Sequence, residues 1–485
     1  MPPLPRIDTC CGSALALCLH SVEENETLRN DESSEGYMKR AVNRISCVAL
    51  LCLVWFVLVG HCGAQGLASK VEEYVSTAIK TSRFSGSILV ARDGNVLISR
   101  GYGMANLEDE VPNTPQTRFR IGSLTKQFTA VAVLMLQERG DLSVRDSVCN
   151  YLPQCPAAWQ PITIHHLLTH TSGIENSDYT ETIKLPMSAA NSVERLKDKP
   201  LEFAPGRLFR YSNSNYILLG HIIEKVTGQS YDVFLQENIF RPLRLTSTGY
   251  DYPRRVLMHR AAGYSSRGDT IINASYVDMS IPYSAGGLYS TVEDLYRWDQ
   301  ALYTERALSK KSLAMMFTAF TGNYGYGWYI AEQDGHRFIS HSGWIDGFAA
   351  SFGRYPDDRV TVIVLSNLDS APVNTIARNL GAIALGLRRE TPEEHRAVKI
   401  DSKIYDSYVG QYELAPNFII TITKEGDRLM GQATGHPQVE LFPASENEFF
   451  VKEFDAKIKF VKGDSGNVSH AVVTLNGRDT QARKN

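Results

Sequence analysis

An excess of charge of either sign is missing from this 485-residue chain. Fifty Lys and Arg stand against 53 Asp and Glu, a net charge of −3. That leaves no electrostatic footprint for nucleic acid or an anionic membrane surface. Long apolar runs are missing too: the segment Ile45–Val59 covers fifteen residues, short of the roughly 20 a membrane span needs. Cysteine is scarce where it would matter. Six of the eight lie before residue 65, and only Cys149 and Cys155 follow, too few for a cysteine metal site. His166 and His170 have the i,i+4 spacing of helical zinc ligands, with His165 beside them, but the Glu of a zinc-protease motif is absent. These histidines read as structural, and neither a metal nor a cofactor is expected. Internal repeats and low-complexity segments are also lacking.

What is present starts with export. Met38-Lys39-Arg40 and Arg44 precede the Ile45–Val59 run, which ends in the small residues Cys62-Gly63-Ala64. This is the layout of a secretory signal peptide over 38–64 with cleavage after Ala64, an uncleaved anchor being the alternative. Residues 1–37 then form a prefix outside the mature protein, with Met38 as the expected start. The expected location is periplasmic or secreted, where Cys149 and Cys155 can close a disulfide around Tyr151-Leu-Pro-Gln.

The apolar pattern predicts a helix over Leu67–Ser82, and alternation over Phe84–Tyr102 on either side of Asp93-Gly94 predicts a hairpin. A buried helix runs from Ser123 to its stop at Gly140. Strands are expected at Tyr326–Ile330, Phe338–His341, Phe348–Tyr355 and Val360–Asn367, then a closing helix at Asn374–Leu387. The fold class is α/β in the α+β sense: one antiparallel sheet flanked by helices, over 67–387. A charged linker (388–402) leads to a small all-β, barrel-like domain over 403–485 with no helical stripe.

Three short motifs carry chemistry. Ser123 and Lys126 lie one turn apart at a helix start, so an amine in a dry pocket can take the serine's proton. The helix end offers N–H groups to an oxyanion. Tyr211-x-Asn213 sets a phenol and a carboxamide on alternate positions before a helix at Tyr216–Thr227. The phenol can relay a proton if the lysine's charge lowers its pKa. His341-Ser342-Gly343-Trp344 ends a predicted strand, with Gly343 free to admit a substrate backbone. Trp344 can supply a second oxyanion N–H and an acyl-pocket wall. Each motif alone fits a packing role.

Together, in this order and at these separations, they resemble the penicillin-recognising serine hydrolases, in particular the class C β-lactamase, D-aminopeptidase and family VIII esterase group. Leu167-Leu-Thr-His-Thr-Ser-Gly173, Ser284-Ala-Gly-Gly-Leu288 and Tyr324-Gly-Tyr-Gly-Trp328 are similar to phrases of the same family. The resemblance implies a β-lactamase/transpeptidase-like fold and an acyl-enzyme on Ser123. Lys126 and Tyr211 would share the proton work, with the N–H groups of Ser123 and Trp344 at the oxyanion and Asn213, His341, Ser342 and Gly343 around the substrate. The tail is similar to the lipocalin-like domain of some members. Where many β-lactamases carry Lys-Thr-Gly, this chain has His-Ser-Gly. Histidine is mostly neutral at pH 7, which favours ester or peptide substrates over anionic β-lactams. A small-molecule or peptide substrate is the expected partner, with no nucleic acid and no membrane beyond export, and no motif specifies an oligomeric state. The alternatives are an acylated receptor that does not turn over and a catalytically silent cell-wall-binding protein.

Overall fold

A computed structural model describes residues 66–485 apart from 78, 80–83, 177–183, 268–269, 388–396, 416–417, 435–437, 452–455, 464–465 and 476–477. The segments expected to be a prefix and a signal peptide, the end of the helix expected over Leu67–Ser82 and most of the expected linker lie outside the described residues.

Residues 66–77 form α1, which buries Val71, Tyr74 and Val75. Gly86–Arg92 (β1) and Asn95–Tyr102 (β2) make the hairpin about Asp93-Gly94. Helices α2 (Thr125–Arg139) and α3 (Asn213–Thr227) follow, with shorter helices between and after them. The chain then returns to strands: β3 (Tyr329–Gln333), β4 (His336–Ile345), β5 (Phe348–Tyr355) and β6 (Val360–Ser366). It closes this part with α4 (Val373–Ala384). One six-stranded antiparallel sheet results, in the order β3-β4-β5-β6-β1-β2.

Pairing β1 with β6 puts the first strand inside the sheet, between β6 and the edge strand β2, where both faces are covered. Ile88 and Val90 pack with Val360, Val362, Val364 and the apolar stripe of α4. Leu89 and Ala91 face the other way, into the core that holds α2 and α3. The alternation expected for Phe84–Tyr102 is therefore absent from β1, because a doubly covered strand reads as a continuous apolar run. Two strand limits also move. β3 begins at Tyr329, since Tyr326 and Trp328 are spent as buried core, and β4 continues through the whole of His341–Trp344 instead of ending at the histidine.

A buried ion pair ties β5 and β6 to the helix Val292–Ala301: Arg354 Nε lies 2.8 Å from an Asp299 carboxylate oxygen. Thr361 Oγ1 donates to the same carboxylate (2.6 Å), and the guanidinium lies 4.6 Å from the Tyr303 ring centre. Cys149 and Cys155 are joined in a disulfide.

The C-terminal part is a closed eight-stranded antiparallel barrel, from Gly410–Ala415 to Arg478–Lys484, with the first strand paired to the last. Its core is aromatic. Tyr408 stacks on Phe460 at 4.3 Å, and Tyr412 and Phe449 pack around the same ring. An eight-stranded barrel is just wide enough for side chains to fill, and here they do.

Candidate active site

Ser123 lies in a 3₁₀ turn, Gly122–Leu124, that feeds into α2, not in the α-helix itself. Its position depends on how closely this turn meets β4. Gly122 has φ +49°, and a Cβ built there would sit 2.8 Å from the Trp344 nitrogen. A Cβ on Gly343 would sit 2.0 Å from the Ile121 carbonyl oxygen and 3.2 Å from the Ser123 nitrogen. Gly343 thus admits the nucleophile's own turn, not a substrate backbone as the sequence suggested. The backbone nitrogens of Ser123 and Trp344 therefore both lie at the junction of the turn with β4. Ser123 remains half-buried.

Lys126, one turn further along, is completely buried. Its Nζ lies 2.9 Å from Ser123 Oγ, 2.8 Å from Asn213 Oδ1 and 2.8 Å from the Ala285 carbonyl oxygen. Burial holds its pKa well below the usual lysine value, because a dry pocket disfavours the charged form. A neutral amine has two N–H donors and one lone pair. Asn213 and Ala285 offer acceptors only, so they take the two donors, and the lone pair is left facing the serine hydroxyl. Asn213 is the first residue of α3. Ala285 sits in a short helical turn that is pinned by Thr129 Oγ1 donating to the Ser284 carbonyl (2.7 Å) and Ser284 Oγ donating to the Tyr216 carbonyl (2.8 Å).

Tyr211 presents its ring to the lysine, with Nζ 4.8 Å from the ring centre. Its hydroxyl is buried beside Ser123. Burial drives its pKa above the ordinary tyrosine value, with proximity to Ser123 opposing in part. This corrects the expectation that a lysine charge lowers it: the amine is itself held neutral, so desolvation dominates.

His341 is buried as well. Nδ1 lies 2.6 Å from the Ser342 carbonyl oxygen and Nε2 lies 3.0 Å from the Tyr324 hydroxyl. The carbonyl can only accept, so Nδ1 carries the proton and Nε2 accepts from Tyr324. Burial, helped by Lys126, lowers its pKa to about 3. The alternate residues Ser342 and Trp344 are exposed, Trp344 at 62%. The arginine just before the nucleophile turn, Arg120, is bound to Asp251 at 2.8 Å, and Asp251 also takes Arg260.

The three neighbouring histidines divide. His165 Nδ1 pairs with the Tyr326 hydroxyl (2.8 Å), and His166 completes a capping box with Thr163. His170 instead stacks on Tyr211 with ring centres 4.3 Å apart. Sequence reading missed His170, Tyr324 and the Ala285 carbonyl as parts of the site. The only signal was that all three fall within phrases noted for resemblance.

A buried amine on a serine, where an antiparallel sheet meets a helical layer, defines a serine hydrolase. The chain belongs to the beta-lactamase family: residues 67–385 match the family of that description, and residues 394–484 match a domain of unknown function, DUF3471. It is similar to "Penicillin-binding protein 4*" of Bacillus subtilis (strain 168), at 32% identity over 82% of this chain and 95% of the relative. Among solved structures it is similar to an octameric penicillin-binding protein homologue from Pyrococcus abyssi, with 28% identity, a TM-score of 0.61 and coverage of 86% of this chain and 99% of that one. A D-stereospecific amidohydrolase from Streptomyces sp. matches at 25% identity and a TM-score of 0.55, over 64% of this chain and 98% of that one.

Proposed function

We propose that this protein is an exported hydrolase that forms an acyl-enzyme on Ser123 and releases it to water, acting on uncharged esters and amides, D-amino-acid amides included, in preference to anionic β-lactams. Ser123 Oγ attacks the carbonyl carbon as its proton passes to the Lys126 lone pair. The carbonyl oxygen takes up the negative charge between the N–H groups of Ser123 and Trp344. A phenol with a raised pKa stays protonated at neutral pH and is a weak acid on its own, so Tyr211 acts as a relay: it passes its proton to the departing oxygen or nitrogen as it takes one from the Lys126 ammonium, the stronger acid of the pair. Water then attacks the acyl group, gives its proton to the same pair, and frees Ser123. No cofactor enters any step.

The observation that carries this reading is the contact of 2.9 Å between a fully buried lysine amine and the serine hydroxyl. The substrate preference follows from charge. Lys126 and His341 are held neutral by burial, and Arg120 is spent on Asp251, so a β-lactam carboxylate finds no cation on these residues. The amidohydrolase relative supports amide chemistry. Export is supported by the 38–64 segment and by a disulfide suited to an oxidising compartment.

The test is a panel of p-nitrophenyl esters, D-alanyl p-nitroanilide and nitrocefin, with N-terminal sequencing of the secreted protein. Multiple turnovers on esters or the anilide, and a mature start at Gln65, are expected. The name of the Bacillus relative favours a second reading, a penicillin-binding receptor. A single stoichiometric burst with nitrocefin and no turnover on any substrate would select it.

A further inference from the structure

We infer that His170 is a positioning residue for the Tyr211–Asn213 segment, clamping the backbone on both sides of Tyr211; the inference rests on the roles proposed above for Tyr211 and Asn213. The His170 carbonyl oxygen accepts from the Arg210 N–H at 2.9 Å. Its side-chain Nδ1 accepts from the Ser212 N–H at 3.2 Å and lies 3.3 Å from Asn215 Nδ2. The two peptide N–H groups that flank Tyr211 therefore both end on one residue. His170 reaches both because its backbone is left-handed, with φ +56°, a conformation sparsely used outside glycine.

The ring does a second job. It is wholly buried and packs on Tyr211 at 4.3 Å, on Tyr324 at 4.8 Å and on Tyr216 at 5.1 Å. Since Nδ1 accepts, Nε2 carries the proton, and Nε2 is buried without a partner among the described residues. A buried donor left unmatched is a cost that packing alone does not require, since phenylalanine would fill the same space. Burial, with Lys126 and His341 nearby, keeps the ring neutral, which preserves Nδ1 as an acceptor. Two residues beyond Tyr211, Asn213 opens α3 with its Oδ1 on Lys126. The clamp therefore sets both Tyr211, facing Lys126, and the acceptor that holds the amine, without touching a reacting atom.

The test compares His170→Phe, His170→Asn, Tyr211→Phe and the double variant His170→Phe/Tyr211→Phe, reading kcat and KM on D-alanyl p-nitroanilide. Asparagine tolerates a left-handed backbone and offers an acceptor oxygen, whereas phenylalanine keeps the ring alone. His170→Phe is expected to lower kcat about 100-fold, the scale of a lost proton-transfer partner, with KM within about threefold. His170→Asn should lose no more than about tenfold. The double variant should be no worse than Tyr211→Phe, because residues acting as a unit are not additive. Multiplied losses in the double variant, or His170→Asn as damaged as His170→Phe, would overturn the inference while leaving Tyr211's role intact. Tyr211→Phe at wild-type activity would overturn that role and the inference with it. Should His170→Phe not fold, ¹⁵N spectra of the wild type, with His170 assigned by comparison with His170→Asn, decide the matter. The neutral Nε2–H tautomer is expected, and an Nδ1–H tautomer or a charged ring at pH 7 would overturn the clamp.

Discussion

Replacing His341 by lysine tests whether the neutrality of the site sets its substrate preference. The substitution removes two hydrogen bonds, to the Ser342 carbonyl and from the Tyr324 hydroxyl. At about 1 kcal/mol each, the fold should lose roughly 2 kcal/mol. The same burial that takes the imidazole from 6.5 to about 3 would take an ammonium from about 10.4 to roughly 7. The new side chain is then charged at pH 6 and neutral at pH 9. When charged, it should attract a β-lactam carboxylate by about 1–3 kcal/mol, or roughly five- to 150-fold. The assay is kcat/KM for nitrocefin relative to p-nitrophenyl butyrate, at both pH values, for both proteins. The ratio should rise at pH 6 and return toward wild type at pH 9. The sign for stability is the same as in the usual carboxylate case, because the folded pKa is again the lower one, but the window lies at higher pH. Between about pH 7 and 10 the unfolded chain binds a proton that the folded one does not, so stability rises with pH over that window. A folded variant whose ratio is the same as wild type at pH 6 and at pH 9 would refute the charge argument.

Gly343→Ala should displace the nucleophile turn, because its Cβ falls 2.0 Å from the Ile121 carbonyl oxygen. A fall in kcat of about 100-fold and a loss of about 1–3 kcal/mol in denaturant unfolding are expected. Lys126 must be neutral to act, so kcat/KM should fall as pH drops through its pKa, with the acid limb centred well below the ordinary lysine value. Lys126→Arg, permanently charged, should be inactive across the whole range. Asp299→Ala leaves the Arg354 charge buried and unpaired, which should cost about 3–5 kcal/mol by chemical denaturation, while kcat of the protein that remains folded stays near wild type.

Much of this was legible in the chain because the signals were local. Ser123-x-x-Lys126 needs only helical spacing, and α2 stops at Gly140 in a left-handed conformation as read. The hairpin at Asp93-Gly94 is turn chemistry. What was hidden depends on contacts distant in sequence. The alternation expected for β1 fails because α4, distant in sequence, covers one of its faces while α2 and α3 cover the other. The purpose of Gly343 was misread because Ile121 cannot be seen approaching it. The direction of the Tyr211 shift was misread because the lysine's charge depends on its burial. Local spacing gives no hint of the left-handed turn at His170 or of a carbonyl such as Ala285, which acts through its backbone.

The most direct measurement is peptide-mapping mass spectrometry of the protein treated with a fluorophosphonate and, separately, quenched during turnover of a p-nitrophenyl ester. A single adduct on the peptide bearing Ser123 is predicted, absent from a folded Ser123→Ala variant that also hydrolyses nothing. An adduct on another serine, Ser342 above all, or a Ser123→Ala variant that keeps near wild-type turnover, would contradict the account.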